Sequence, residues 1–292
     1  KDMIRAQDVE RRAGARLLLD GVTCRVQPGD RIGLVGRNGA GKTTLTKTLA
    51  KETLPAAGTI THTGEVGYLP QDPRTGDLDT LGRDRVLSAR GLDEVLRNLE
   101  KMQIQLAESP DDADLLRRYG NLEERFSNLG GYSAESEAAR ICSNLGLPER
   151  ALGQPIGTLS GGQRRRIELA RILFSDATTL LLDEPTNHLD ADSIVWLRDF
   201  LKKHNGGLVV ISHDVELLDA VVNKVFHLDA NRAELDHYNV GWKTYLQQRE
   251  TDEKRRKRER VNAEKQAGAR VAQGDKNRAK ATKAKTAQTK AN

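Results

Sequence analysis

The chain has 292 residues, 37% hydrophobic and 30% charged, enough for one large domain or two small ones. No apolar run approaches the ~18 residues that a membrane-spanning helix needs, and the start carries no signal-peptide pattern. The formal net charge of +5 is unevenly placed: residues 245–292 hold 15 Lys/Arg and 6 Asp/Glu, a net of +9, and the other 32 Lys/Arg and 36 Asp/Glu leave residues 1–244 at −4. A mildly acidic body with a basic tail implies a polyanionic partner for the tail.

The sequence starts at Lys1, which leaves open a native start at Met3 behind a leftover tag or a fragment of a longer chain. Residues 3–35 read as short strands broken by turns, with Arg16–Val22 and Thr23–Val26 as strand-like runs and Pro28-Gly29-Asp30 as a turn. The apolar run Arg31–Val35 suits a buried strand. It leads into Gly36-Arg37-Asn38-Gly39-Ala40-Gly41-Lys42-Thr43-Thr44, which reads G-x-x-x-x-G-K-T, and helical spacing follows from Leu45 to Ala50. Glycines let such a loop curl its N–H groups inward, and the next helix brings its positive dipole end to the same place. A triphosphate is the natural guest, with Lys42 on the β- and γ-phosphates and the Thr43 hydroxyl on Mg²⁺.

A second glycine-bounded patch, Gly58–Thr61 with Glu65–Leu69, predicts another hairpin. Gln71 follows at a strand end, where a glutamine reaches a metal-bound water and moves with its loop. Leu92, Val95, Leu96, Leu99 and Met102 then recur at helical spacing, and a second stripe runs through Leu115, Leu116, Tyr119, Leu122 and Phe126. The two stripes predict a helical hairpin projecting from the body, and residues 133–147 a further helix closed by Gly146-Leu147-Pro148.

Leu159-Ser160-Gly161-Gly162-Gln163 opens the next helix, with Ser160 as a good N-cap and two glycines allowing close backbone approach. This is a second anion-binding helix start in one chain. Thr179–Glu184 is an apolar strand ending in two carboxylates. Asp183 is delivered to the Mg²⁺ shell, and Glu184 to an attacking water. A helix over roughly 191–203 and a buried strand, Gly207–Ile211, come next, and the strand ends at Ser212-His213-Asp214. A strand-end histidine there orients the water and bonds the γ-phosphate. Two short strands over 223–238 precede a helix starting near Tyr238. From Thr251 to Asn292 there is no aromatic, Leu, Ile or Met, so this segment buries no core of its own. Its Ala, Lys, Arg, Glu and Gln predict a solvated basic helix that frays after Gly268 and Gly274 and is partly disordered. Cys24 and Cys142 lack metal-ligand or disulfide spacing and read as small buried hydrophobes in a reducing, cytoplasmic setting.

Taken together, these motifs resemble the ATP-binding-cassette ATPases across residues 4–240. The resemblance implies an α/β fold: a P-loop ATPase core, an antiparallel β subdomain, a helical subdomain over about 78–158 carrying an arm-like insertion, and a C-terminal basic helix. It makes 36–44 the Walker A loop, Gln71 the Q-loop glutamine and Leu159–Gln163 the signature. Walker B is 180–183, Glu184 the catalytic glutamate, Asp190 the end of the D-loop and His213 the switch histidine. ATP and Mg²⁺ follow as cofactors.

Within that family, Asp183–Asp190 (D-E-P-T-N-H-L-D), the arm-like insertion, and Tyr238–Arg249 followed by a basic helix resemble the ABC-F group. The resemblance implies one cassette over 1–244, part of an interdomain linker over 245–292, a second cassette as partner, and contact with ribosomal RNA and tRNA. Roles in translation or in resistance to ribosome-targeting antibiotics come with it. One departure stands out. The family stacks adenine on an aromatic upstream of the P-loop; Ala13 holds the aligned position, and no aromatic lies between Lys1 and Gly36. An arginine plane replaces the aromatic, or the stacking is weak. A transporter's nucleotide-binding subunit shares the core motifs, but the basic helix after 245 and the T-N-H-L-D wording argue against it. A chromosome-type ATPase lacks support for want of a coiled-coil or zinc insertion. A nucleotide-gated module without hydrolysis is countered by Glu184.

Overall fold

Strand β1 (Ile4–Ala13) turns back through Gly14 into β2 (Arg16–Val26), and β4 (Ala57–His62) pairs antiparallel along the other side of β1. The computed structural model describes residues 1–39, 41–73 and 76–291 of the chain, which divides into two compact units, Lys1–Trp242 and Lys243–Asn292. In β1, Ile4, Ala6 and Val9 face inward while Arg5, Gln7 and Asp8 are exposed. The two successive exposed residues mark a bulge, where Asp8 takes φ 50 and the register shifts. Opposite it, Gly58 has φ 84, and a side chain there would clash with the Asp8 carbonyl oxygen. The two strand-like runs expected in 16–26 are one strand, kinked at Gly21 with φ 59.

The hairpin expected over 58–69 does not form. Strand β4 goes to the antiparallel sheet, and β5 (Val66–Leu69) pairs parallel with β6 (Thr179–Asp183). The difference follows from burial: β4 is largely polar and half-solvated, whereas β5 hides Gly67 and Leu69 against the sheet core. The second sheet runs β5-β6-β7-β3-β8-β9, where β3 is Arg31–Gly36, β7 Gly207–Ile211, β8 Lys224–Asp229 and β9 Glu234–Tyr238. All its pairs are parallel except β8–β9. Every residue of β6 and β7 is buried, as a parallel sheet covered on both faces requires. Helix α1 (Lys42–Leu49) contributes Leu45 and Leu49 to the core that joins the two sheets.

The helical region holds α2 (Gly82–Leu87), α3 (Asp93–Glu108), α4 (Ala113–Asn128), α5 (Gly131–Asn144) and α6 (Glu149–Leu152). Helices α3 and α4 form the expected hairpin; Asp112 caps α4 by accepting the Leu115 N–H at 3.1 Å. Helix α7 (Gly161–Phe174) joins this region to the sheet. Arg85 on α2 makes a two-point ion pair, at 2.8 and 3.2 Å, with the buried Glu168 on α7. Arg90 donates to the Phe174 carbonyl at 2.7 Å and lies over its ring at 4.0 Å. Helices α8 (Ala191–Lys202) and α9 (Val215–Val221) complete the unit.

Helix α10 (Trp242–Ala291), 50 residues long, spans roughly 75 Å at 1.5 Å per residue, and from Lys243 on it makes up the second unit. It continues through Gly268 and Gly274, where fraying was expected. Two glycines cost about 1 kcal/mol each in a helix, and the surrounding strong helix formers offset that. Lys254–Glu250 and Arg249–Glu253 pairs add i,i+4 support. No helix among the described residues is long and apolar enough to cross a membrane.

Both cysteines are buried and unpaired, Cys24 on β2 and Cys142 on α5, and burial pushes each thiol up to about 12. Iodoacetamide at mildly alkaline pH is expected to leave both unmodified in the native protein and to label both after denaturation, read by intact mass. Rapid native labelling at either position would show that its helix or strand opens.

Candidate functional site

Strands β6, β7 and β3 lie side by side and parallel, so their C-terminal ends share one edge of the sheet. The register sets Asp183 beside Ile211. The loops leaving these ends enclose a cleft of about 460 Å³. It is lined by Asn38, Gly39, Gly41, Lys42, Thr43, Thr44, Gln71, Asp183, Glu184 and His213, with Leu18 and Ile211 as apolar wall. Gly36 lies at the end of β3, and its carbonyl accepts from Lys42 Nζ at 3.0 Å. Ala40 lies outside the described residues. Gly41, at φ 99, is the N-cap of α1 and turns the loop so that the helix's N-terminal end meets the cleft.

Thr43 Oγ1 donates to Asp183 Oδ2 at 3.0 Å, tying the loop to β6. Burial pushes the Asp183 carboxyl above its usual range, and the Thr43 hydrogen bond opposes it; neighbouring Glu184 adds to the rise, and Arg165 and Lys42 add to the opposition. Hydroxyl and carboxylate oxygens meeting here are the hard donors that Mg²⁺ prefers. Among the described residues no group of three or more His, Cys, Asp or Glu is placed to hold a metal alone.

Glu184 is 5% exposed and adopts φ 54, rare for a residue with a side chain. Its N–H donates to the Ile211 carbonyl at 2.8 Å. Its carboxylate meets His213 twice: Oε1 contacts the ring Nδ1, and Oε2 accepts the backbone N–H at 3.3 Å. The imidazole is 72% exposed against 6% for the Glu184 side chain. A buried carboxylate is thus capped by a ring open to the cleft.

The remaining predicted residues are elsewhere. Ser160 caps α7 in a full capping box: its hydroxyl accepts the Gln163 N–H at 3.1 Å, and Gln163 Oε1 accepts the Ser160 N–H at 3.1 Å. Gly161 and Gly162 line a second concavity with Asn187 and His188, and Gln71 lines both concavities. Asp190 caps α8, accepting the Ser193 N–H at 2.8 Å, a bond that holds its carboxyl below the usual range. Ser160, Gly161, Gly162, Gln163 and Asp190 are therefore not brought to the P-loop cleft. Three residues were missed. Leu18 lines the cleft. Arg16, directly across the hairpin from Ala13, donates to the Gly39 carbonyl at 3.0 Å. Arg165 reaches the carbonyls of Gln71, Asp183 and Glu184. Only the run Arg164-Arg165-Arg166 hinted at the last, and a charge run reads as surface.

Loop, strand-end carboxylates and histidine meeting on one edge of a parallel sheet make the half-site of a P-loop nucleoside-triphosphate-binding cassette. Comparison with known proteins agrees. A family model described as "ABC transporter" matches residues 19–187, more than half of the chain. Among curated relatives, the probable ATP-binding protein YheS of Escherichia coli K12 is 33% identical over 99% of this chain and 44% of its own length. The tylosin resistance ATP-binding protein TlrC of Streptomyces fradiae is 35% identical over 86% of this chain and 46% of its own. ATP-binding cassette sub-family F member 3 of Mus musculus is 35% identical over 85% of this chain and 34% of its own. An ATP-binding cassette solved as a dimer in a post-hydrolysis state with ADP and Pi shares the fold at TM-score 0.56 and 19% identity, covering 82% of this chain and 100% of that one. The chain belongs to the ATP-binding-cassette family, in its ABC-F group. It spans less than half the length of these curated relatives.

Replacing the cap in Ser160→Ala is expected to cost about 1 kcal/mol of stability and to lower amide protection in the first turn of α7. In dilute, monomeric protein, fluorescent ATP-analogue affinity should stay at the wild-type value, because Ser160 is outside the P-loop cleft of its own chain, whereas Lys42→Ala should weaken it strongly. Equal losses of affinity in the two variants would show that the serine serves the same cleft.

Proposed function

We propose that this chain is the ATP-binding and ATP-hydrolysing cassette of an ABC-F protein that acts on the ribosome, in translation or in protection against a ribosome-targeting antibiotic. The observation that carries the hydrolytic part is the convergence of Lys42, Thr43, Asp183, Glu184 and His213 in one cleft. Residues 1–244 form the cassette, with the helical region over about 78–158, and residues 245–292 a basic linker. The setting is the cytoplasm.

In this reading the amides of the loop around Gly39 and Gly41 receive the phosphates. Lys42 leaves the Gly36 carbonyl to neutralise β- and γ-phosphate charge. Arg16 sits beside the loop and supplies the planar surface for adenine that Ala13 lacks. Thr43 and Asp183 hold Mg²⁺, assisted by Gln71; when bound, the ion offsets the negative charge of the phosphates. Glu184 accepts a hydrogen bond from the attacking water and then its proton, and its buried position keeps bulk water from competing. His213 swings from Glu184 to the γ-phosphate and steadies developing charge there. The signature residues Ser160–Gln163 and Asp190 serve a nucleotide held by a second cassette, whether a further domain of a longer chain or another copy head-to-tail. The similarity to TlrC, a tylosin resistance ATP-binding protein, supports the antibiotic branch for this chain. The excess of Lys/Arg in 245–292 supports contact with rRNA and tRNA phosphates.

Because one chain holds two half-sites, ATP turnover per molecule should be weak when dilute and should rise with protein concentration. Glu184→Gln should lower turnover on the order of 10²-fold while keeping ATP affinity, and should accumulate as an ATP-loaded dimer in size-exclusion chromatography. Fast, concentration-independent turnover would overturn the split-site reading, and equal hydrolysis by mutant and wild type the role of Glu184. For the tail, ribosomal RNA binding should fall steeply with salt and be lost on deleting residues 249–292. A shallow salt dependence, unchanged by the deletion, would remove the tail from the account.

A further inference from the structure

Successive residues on an α-helix point about 100° apart, so the three arginines behind the capping box of α7 serve three different places. Arg164 donates to the carbonyls of Ile156, Gly157 and Leu159 at 2.8–3.2 Å. Arg166 donates to Gly146 at 3.1 Å and Gly162 at 3.3 Å. Both brace the approach to the helix. Arg165 points instead under the catalytic edge. It is 8% exposed, and its Nη2 donates to the Asp183 carbonyl at 3.0 Å and the Glu184 carbonyl at 2.7 Å, while Nη1 donates to the Gln71 carbonyl.

Among the described residues Arg165 makes no ion pair. Its direct hydrogen bonds here go to carbonyls, with the Asp183, Asp72 and Glu184 carboxylates adding favourable charge at longer range, and these together offset the hydration it loses on burial. The three peptide groups and the helix therefore keep their places together. One of them is the peptide after Glu184, the residue at φ 54. The Ile211 carbonyl holds that residue's N–H and Arg165 holds its C=O, so both sides of the unusual backbone conformation are fixed. Left-handed conformations of this kind persist only where surrounding bonds over-determine them. Gln71, the third acceptor, lines both the P-loop cleft and the second concavity.

We infer that Arg165 is a positioning residue that joins the two half-sites of the cassette. It couples the first turn of α7, whose Gly161 and Gly162 line the second concavity, to the backbone of Glu184 and Gln71 in the P-loop cleft. Occupation of one half-site then sets the aim of the carboxylate in the other. The inference rests on the hydrolytic reading of the cleft.

The test uses the 292-residue chain. Arg165→Met keeps the length and removes the donors; Arg165→Lys keeps the charge with one compact donor group. In Arg165→Met, kcat for ATP should fall by about tenfold or more, with the dissociation constant for Mg-ATP within about twofold of wild type. Arg165→Lys should recover part of kcat. Hydrogen exchange should show faster exchange at Glu184 and nearby backbone amides and at Gln71-Asp72, with the interior of α7 still protected. Unchanged kcat with unchanged exchange at Glu184 would overturn the inference. So would a loss confined to melting temperature and ATP affinity, which is what a purely structural arginine gives. If Arg165→Met fails to fold, the lysine variant carries both readouts. Wild type that fails to bind Mg-ATP would sink the hydrolytic reading instead, and the exchange result at Glu184 would still judge the tie itself.

Discussion

The structure depends on the parallel register of β3, β7 and β6. Their interiors are continuous apolar runs buried on both faces, Leu180–Leu182 and Leu208–Ile211 among them. Sliding one strand past its neighbour would drag a charged terminal residue into that interior, a cost several times any single hydrogen bond in the cleft. The strand ends are therefore fixed relative to one another, and with them the glycine loop, Asp183, Glu184 and His213. The Thr43–Asp183 hydrogen bond at 3.0 Å is the direct expression of this alignment. Chemistry placed on strand ends inherits the rigidity of the sheet, while the loops between remain free to differ.

The start of helix α7, where the sequence predicts a second anion site, obeys a different logic. Helix α7 is held to the helical region by its Arg85–Glu168 and Arg90–Phe174 contacts and to the sheet edge by Arg165, so its N-terminus answers to both. Ser160 and Gln163 satisfy each other in the capping box, which keeps the helix start ordered within the single chain. In the function proposed above, the P-loop is a phosphate cradle and the start of α7 a phosphate clamp, and the opposing surface of a second cassette would bring a clamp over each cradle.

Much of the site was legible because its residues carry local signals. The glycine loop, the apolar strand ending in Asp183-Glu184, and the strand ending before His213 each declare themselves within a dozen residues. The α3–α4 hairpin was legible by its stripes. The partition of β4 and β5 between two sheets was not, since glycine-bounded strands close in sequence look like a hairpin, and the true partners, β1 and β6, lie far along the chain. The structural use of Arg164, Arg165 and Arg166 was also hidden. Nothing local distinguishes an arginine that hydrogen-bonds buried carbonyls from one that faces water. The continuity of α10 past its glycines turned on the sum of many small propensities against two local penalties, a balance that a reading of the glycines alone misjudges.

The left-handed backbone at Glu184 has an evolutionary corollary. Glycine or asparagine would adopt that conformation with less strain, so the fold by itself favours losing the glutamate by about 1 kcal/mol. The carboxylate persists against a standing preference of its own main chain. Against that backbone preference stand the two contacts of the buried Glu184 carboxylate with His213, which a glycine would forfeit. On the hydrolytic role proposed for Glu184, glutamate at this position marks selection for turnover, and a relaxed substitute would mark its loss.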